Sequence, residues 1–533
     1  MVRDGAGRKS ELSRRGFLVT TGGALAGMAA FGLVGPAAAG KRHPQRGGTL
    51  EYSSRSDIAG LDAHRHNLNH AIVANAAMFT GLTDIDYEGN VIPGIAESWE
   101  PNKDLTEWTF RLRQGVLFHN GRDVDAEAVK LNLERIKDPA LGGQWERGAV
   151  ENIDSVEVTD RYTVRIHARE PDASIPVSVM HYPTRLMAPD AFDTASEHPI
   201  GAGPFKFVSW TRWSESRLSR FENYWETDAE GHSLPYLDEI IARPKREDSV
   251  RLTALRTGQV DLLGNMASAD VKRFKQSYGD QYNTWTWHYG GRFVVFNFRR
   301  GPFQDKRLRT AAAHAIDRQA IHYAVYYEQG AMATQPYPEG TQWHLEGIRS
   351  LEYDPDRAKA LLREARADGT EIKLQCSANI ATSRQIAQVV QDLWNRVGFK
   401  VTVDILDSVP FRQARAEGTF DGLIQGNTYR YDPDAFFGRN LHSKSKYAQV
   451  LSGWQNERYD RLIEEAKRTL DPERRKALYA EAWNLVNVEL PHFYLHEEVY
   501  TSAAAKTLQG YQPGRMGAVH YQGGGLRTVY MKG

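Results

Sequence analysis

His64, His66 and His70 fall within one short stretch, DAHRHNLNH. Imidazoles at that spacing suit nickel, zinc or copper. The same residues serve equally as polar loop side chains, and no resident metal or other cofactor is expected. Ser377 and Asn379 lie in CSANIATSR, between a strand and a helix. Ends of parallel strands and the helix N-termini beside them are natural ligand sites, because unpaired N–H groups point outward there. Trp285, Trp287 and Tyr289 alternate in WTWHYGGRF and share one strand face, available for stacking on a ligand or for packing a core. Catalytic motifs are missing: there is no G-x-S-x-G and no P-loop, and HEEVY lacks the second histidine of H-E-x-x-H. No enzymatic activity is expected. Cys376 is the only cysteine, so an intramolecular disulfide is impossible, and it reads as a core residue on a strand.

The elements that must position these residues are legible. EWTFRL alternates Trp108, Phe110 and Leu112 against Thr109 and Arg111, the pattern of a half-buried strand. DVDAEAVKLNLERI follows as a helix with acidic residues in its first turn. SVEVTDRYTVRIHA reads as two strands around a Thr-Asp-Arg turn. DKRLRTAAAHAIDRQAI reads as one alanine-rich helix, and the next helix opens with Asp354 as N-cap and Pro355 in the first turn. EIKLQC, the helix SRQIAQVVQDLWNRVG and KVTVDIL form a strand–helix–strand unit, which implies parallel strands and a right-handed crossover. Helices near 456–470 and 472–489 complete this α/β half.

The chain has 533 residues, 41% of them hydrophobic and 25% charged, an ordinary globular balance. Ser13 to Gly40 has the anatomy of an export signal. Basic residues including Arg14-Arg15 precede a glycine-rich apolar run that ends in Ala37-Ala38-Ala39. The arginine pair followed by Phe17-Leu18 resembles a twin-arginine signal, with cleavage near Ala39. Removing residues 1–39 takes away five basic and two acidic side chains and leaves a net charge near −3. That balance excludes nucleic acid as an expected partner. No later segment is long and apolar enough to embed in a membrane.

Several ordered blocks resemble the family 5 extracellular solute-binding proteins, the peptide, nickel and related receptors of ABC importers. They are GLTDIDYEGNVIPGIAESWEP with the strand and helix that follow, PIGAGPFKFVSW, LPYLDEIIARPKREDSVRLTALRTGQVDLL, VFNFRRGPFQDKRLRTAAAHAIDRQAI and NERYDRLIEEAKRTLDPERRKALYAEAWNLVNVELPHFYL. The resemblance implies an α/β, bilobal periplasmic-binding-protein fold, type II-like, with an inserted extra domain. By block, domain I is 45–81, 188–290 and 499–533, domain II is the insert 82–187, and domain III is 291–498. Strands near 290 and 498 would form a hinge, with solute gripped between the first and third domains as they close.

The resemblance also implies a cleft-lining loop, QGNTYRYDPDAFF. Peptide-binding members carry an acidic residue three before the Asp-Pro, and here that position is Tyr429; their upstream tryptophan corresponds to Gly426. Tyr429, Arg430 and Tyr431 are therefore the leading contact candidates, followed by Asp432, Trp285, Trp287, Asn379 and Ser377. Arg430 suits a bidentate grip on a carboxylate or phosphate. Dipeptide receptors place an arginine early in the 377–384 loop, whereas here Arg384 comes late. The expected function is a monomeric periplasmic receptor that captures a peptide or peptide-like solute and passes it to an ABC permease and ATPase. The alternatives are a receptor for an oligosaccharide, an opine-like conjugate or a nickel complex, and, less consistent with the motifs, a secreted enzyme.

Overall fold

Two strands dominate the architecture, Tyr282–Phe296 and His492–Ala505, which pair antiparallel along nearly their whole length. The computed structural model of the protein describes residues 44–65, 76–141, 147–516 and 525–532. Residues 1–39, expected to be an export signal, and His66 and His70 lie outside the described residues.

The long pair sits in the middle of an eleven-stranded sheet. On one side of it lie Gly422–Thr428, Glu371–Ser377 and Lys400–Leu406. On the other lie Leu262–Met266, Thr49–Ser53, Glu239–Ala242, Glu215–Arg220 and Phe205–Thr211. The strands 371–377 and 400–406 are parallel, joined by the helix Ala381–Val397, as their alternation with a helical segment predicts. That helix buries Ile386, Val390, Leu393 and Val397 together with Trp394, whose indole N–H donates to Ala312 O at 2.9 Å. Cys376 is fully buried in the same core, beside Leu374 and Phe296.

Residues 96–168 make a separate four-stranded antiparallel sheet, in the order Ala96–Pro101, Glu107–Leu112, Thr163–Ala168 and Ile153–Asp160. Trp108, Phe110, Val164 and Ile166 form its inner face, covered by Val129 and Leu133 of the helix Ala126–Lys137. Asp125 caps that helix by accepting from Ala128 N at 2.8 Å. Among the described residues no helix is long and apolar enough to cross a membrane.

One element differs from its sequence reading. The alanine-rich stretch is two helices, Lys306–His314 and Arg318–Ala324. Asp317 separates them: its carboxylate accepts from Gln319 N and Ala320 N, starting a second helix where alanine propensity alone would continue the first.

Candidate functional site

The long strand pair changes register between His288 and Gly290, and again between Arg292 and Phe293. At Gly290 a Cβ would collide with the carbonyl oxygen of Asn427 on the adjacent 422–428 strand. Gly426, across the pair from Arg292, leaves the space that Arg292 occupies, since a Cβ would run into the guanidinium. The position that holds tryptophan in the resembling peptide receptors thus accommodates an arginine from a different strand.

Arg292 is buried and pairs with Glu498 at 2.9 Å. Tyr326 and Thr382 donate their hydroxyls to Glu498 Oε1, each at 3.1 Å. Next along the strand, Glu497 binds His288. Tyr289 stacks on Tyr500 with centroids 4.3 Å apart, and Trp287 meets Tyr500 edge-on at 5.2 Å. The middle of the sheet is therefore a row of buried and half-buried charges and rings contributed by both long strands.

Beside it opens a cavity of about 190 Å³, lined among others by Arg292, Ser377, Ser383, Ser408, Arg412 and Gln425. Three of the segments that build it are the end of the 371–377 strand, the start of the 381–397 helix and the start of the helix Ser408–Glu417. Ser377 therefore sits on a cavity wall. Asn379 is exposed nearby, and its amide donates to Ser408 Oγ at 2.6 Å.

The remaining candidates are placed differently. Tyr429 is buried, donates its N–H to Tyr289 O at 3.1 Å, and packs beside Tyr337. Tyr431 is buried in the core shared with Ile85, Val177 and Met180; its hydroxyl donates to Met516 O, and its carbonyl accepts from Trp343 Nε1 at 2.8 Å. Arg430, between them, is half-buried, and burial together with the nearby Arg439 pushes its pKa down to about 10. Both Asp432 oxygens are held by Arg475, at 2.8 and 2.9 Å, which gives this carboxylate a structural partner inside the protein. Trp285 packs edge-on against Tyr511 at 5.1 Å, and Trp287 donates to Ser502 Oγ at 3.4 Å. His64 is fully buried: Arg135 donates to its Nδ1 at 2.9 Å and its Nε2 donates to Arg185 O at 3.2 Å. Both ring nitrogens are occupied, so His64 has no lone pair for a metal in this arrangement.

Arg292, Ser383, Arg412 and Glu498 were not singled out by sequence reasoning. They belong to no motif. Arg292 and Glu498, about two hundred positions apart, meet because the two long strands pair, and Ser383 and Arg412 reach the same region from the starts of two helices. Glu498 lies in HEEVY, which as a linear pattern signals only an incomplete metalloprotease motif.

Residues 90–449 match the family model described as "Bacterial extracellular solute-binding proteins, family 5 Middle". The chain is 28% identical to Di/tripeptide-binding protein 1 of Pseudomonas aeruginosa over 477 residues, covering 83% of this chain and 87% of that protein. It is 26% identical to the glutathione-binding protein GsiB of Salmonella paratyphi A, covering 86% and 90%. The solved structure of the PBP AgaA from A. tumefaciens R10 in complex with agropinic acid superposes with a TM-score of 0.76 at 24% identity, covering 91% of this chain and 99% of that one. A match over more than half the chain, on a mixed α/β fold shared with periplasmic binding proteins, makes this protein a member of the bacterial extracellular solute-binding proteins of family 5.

Proposed function

We infer that the protein is a periplasmic receptor that captures a peptide or peptide-like solute between two lobes and delivers it to the permease and ATPase of an ABC importer. The observation that carries this reading is the long strand pair: two strands span one continuous sheet, with glycine and shifted register at their middle, as a two-strand hinge requires. Segments 45–81, 188–290 and 499–533 would move as one lobe, 291–498 as the other, with 82–187 as an insert on the first. Contacts from both lobes to one solute favour the closed state over the open one, and that difference signals loading. The relatives named for di- and tripeptides and for glutathione support a peptide ligand. The receptor acts as a monomer, performs no turnover and holds no resident metal.

A second reading, an opine-like or saccharide solute, is favoured by the 426–434 loop. Tyr429 replaces the acidic position, and Asp432 is engaged by Arg475, so this loop gives a peptide ammonium neither of those two carboxylates. Native mass spectrometry of the freshly purified protein, followed by thermal-shift screening, separates the readings. A bound solute stabilises the fold by mass action, about 2.7 kcal/mol at a hundredfold excess over Kd. Peptides raising the melting temperature support the main reading; stabilisation by a sugar or opine alone removes it.

The export route follows from Arg14-Arg15, and twin-arginine translocation carries the chain already folded. Replacing both by lysine is expected to leave the precursor in the cytoplasm, as read by fractionation and immunoblotting. Continued export of the double variant would assign the signal to the general secretory route.

A further inference from the structure

The 82–187 insert touches both of the other parts, and the two attachments differ in kind. Segments 45–81 and 188–290 hold it by directional polar bonds. Arg135 pairs with the buried Asp62 at 2.7 Å and donates to Phe192 O at 3.3 Å, and His119 donates its N–H to Gly201 O at 2.9 Å. Toward segment 291–498 the insert presents apolar side chains instead. Ile85, Val177 and Met180, exposed by 1%, 8% and 1%, share one core with Tyr431, Trp343 and Phe436. Thr83–Ile85 and Val91–Pro93 form a hairpin, and Gly89 near its turn lies against the Tyr431 ring: a Cβ would stand 3.5 Å from it. Ala173 donates its N–H to Lys467 O at 2.9 Å, and the Lys467 ammonium stands 3.9 Å from Asp172. Arg515 pins the same seam from the C-terminal segment. Its N–H donates to Tyr87 O at 3.1 Å and its guanidinium to Gly340 O, while the Tyr431 hydroxyl donates to Met516 O at 3.3 Å. None of these residues lines the 190 Å³ cavity.

Apolar surface removed from water favours whichever arrangement removes it. We propose that the insert is a closing clasp: carried on the first lobe, its hairpin and its 172–180 segment seat on the third lobe, so the protein's own contacts supply part of the closed state's stability and the solute supplies the remainder. The proposal rests on the two-lobe receptor reading above and adds what sets the balance between open and closed. It gives Tyr431 a role as the third lobe's anchor for Gly89 and Met516, and Arg515 a role as the pin that joins all three parts. A receptor whose binding-competent state is only partly populated binds more weakly in proportion to that fraction. Loosening the clasp therefore weakens every solute by one common factor, whatever its chemistry.

The test uses the full-length exported protein, dialysed free of co-purified solute. Small-angle X-ray scattering without peptide reads the balance of states, and calorimetric titration with trialanine and trileucine reads affinity. Arg515→Ala is expected to weaken both peptides at least about threefold, and the double variant Val177→Ser/Met180→Ser at least about tenfold. Each factor is the same for the two peptides, and the radius of gyration without peptide rises above that of the wild type. A second double variant, Ala173→Cys/Lys467→Cys, keeps the test decisive if the apolar one fails to fold. The two backbones are hydrogen-bonded neighbours, within reach of a disulfide, and Cys376, the single native cysteine, is buried. Oxidation with diamide is expected to give the smallest radius of gyration of the series and to stop peptide exchange, and dithiothreitol to restore both. Unchanged scattering and affinity in all three variants would overturn the clasp while leaving a peptide receptor. Scattering that shifts as stated, with neither peptide bound by any form, would support the clasp and overturn the peptide reading. Losses that differ between the two peptides, with no change in scattering, would place these residues in the solute site and overturn the clasp.

Discussion

Replacing His492 by phenylalanine is expected to flatten the loss of stability in acid. His492 is fully buried, stacks on Phe293 with centroids 4.7 Å apart, and neither ring nitrogen has a hydrogen-bond partner. Burial alone drives its pKa from 6.5 down to about 3. The sign follows from proton counting. Above pH 6.5 the ring is neutral in both states and the fold keeps its full stability. Below it the unfolded chain binds a proton that the fold refuses, so stability falls from about pH 6.5 until the folded ring itself titrates near pH 3. At about pH 5 this one residue removes about 2 kcal/mol, at about 1.4 kcal/mol per pH unit. Phenylalanine keeps the aromatic contact and removes the titration, and it also removes a buried unmatched N–H worth about 1–3 kcal/mol at neutral pH. Urea unfolding at about pH 7.5 and about pH 5 measures the difference. Parallel losses in wild type and variant would show that His492 does not titrate on unfolding in this range. The comparison must be between the two proteins, because other buried groups also contribute. His64 and His496 are held neutral by burial, with pKa values about 4 and about 3, and act in the same direction. Asp261 and Asp434, raised to about 6 and about 7 by burial, take up protons in the fold first and partly offset them.

Cutting Arg475 back to alanine is expected to cost about 3–5 kcal/mol, the usual consequence of stranding one half of a buried ion pair. Asp432 and Arg475 have side-chain exposures of 4% and 6% and make two parallel hydrogen bonds. Arg475 also donates to Ala466 O at 3.1 Å and to the Tyr479 hydroxyl at 3.2 Å, and lies over the Trp343 ring at 5.0 Å. Asp432→Ala is expected to be comparably damaging, while the double variant should cost well under the sum, because neither charge is then left alone. Urea unfolding of the two single variants and the double variant closes the cycle. Additive losses below about 1 kcal/mol each would mean the pair is solvated in solution. The consequence reaches the candidate site, since Asp432 closes the loop that carries Tyr429, Arg430 and Tyr431.

Much of the fold was written in local pattern. The alternation of Trp108, Phe110 and Leu112, the capped start at Asp354-Pro355 and the apolar face of the 381–397 helix each emerged where the sequence placed them. Such features depend on residues within one or two turns, so the chain itself specifies them. The split at Asp317 was less visible, because alanine content outweighs a single capping carboxylate when only propensity is considered.

The sequence by itself determined the family, the α/β class and the order of strands and helices, since these rest on period, caps and long ordered blocks. The tertiary structure alone decided which polar residues share a cavity and which are drawn into the core. Tyr431 and Asp432, conspicuous in the sequence, are drawn into the core by Trp343 and Arg475, whereas Arg292, Ser383 and Arg412, inconspicuous in it, share one cavity. The physical reason is that the partner of a buried polar group is set by how helices, loops and sheet pack: Arg475 reaches Asp432 from 43 residues away and Trp343 reaches Tyr431 from 88, separations that local pattern does not encode.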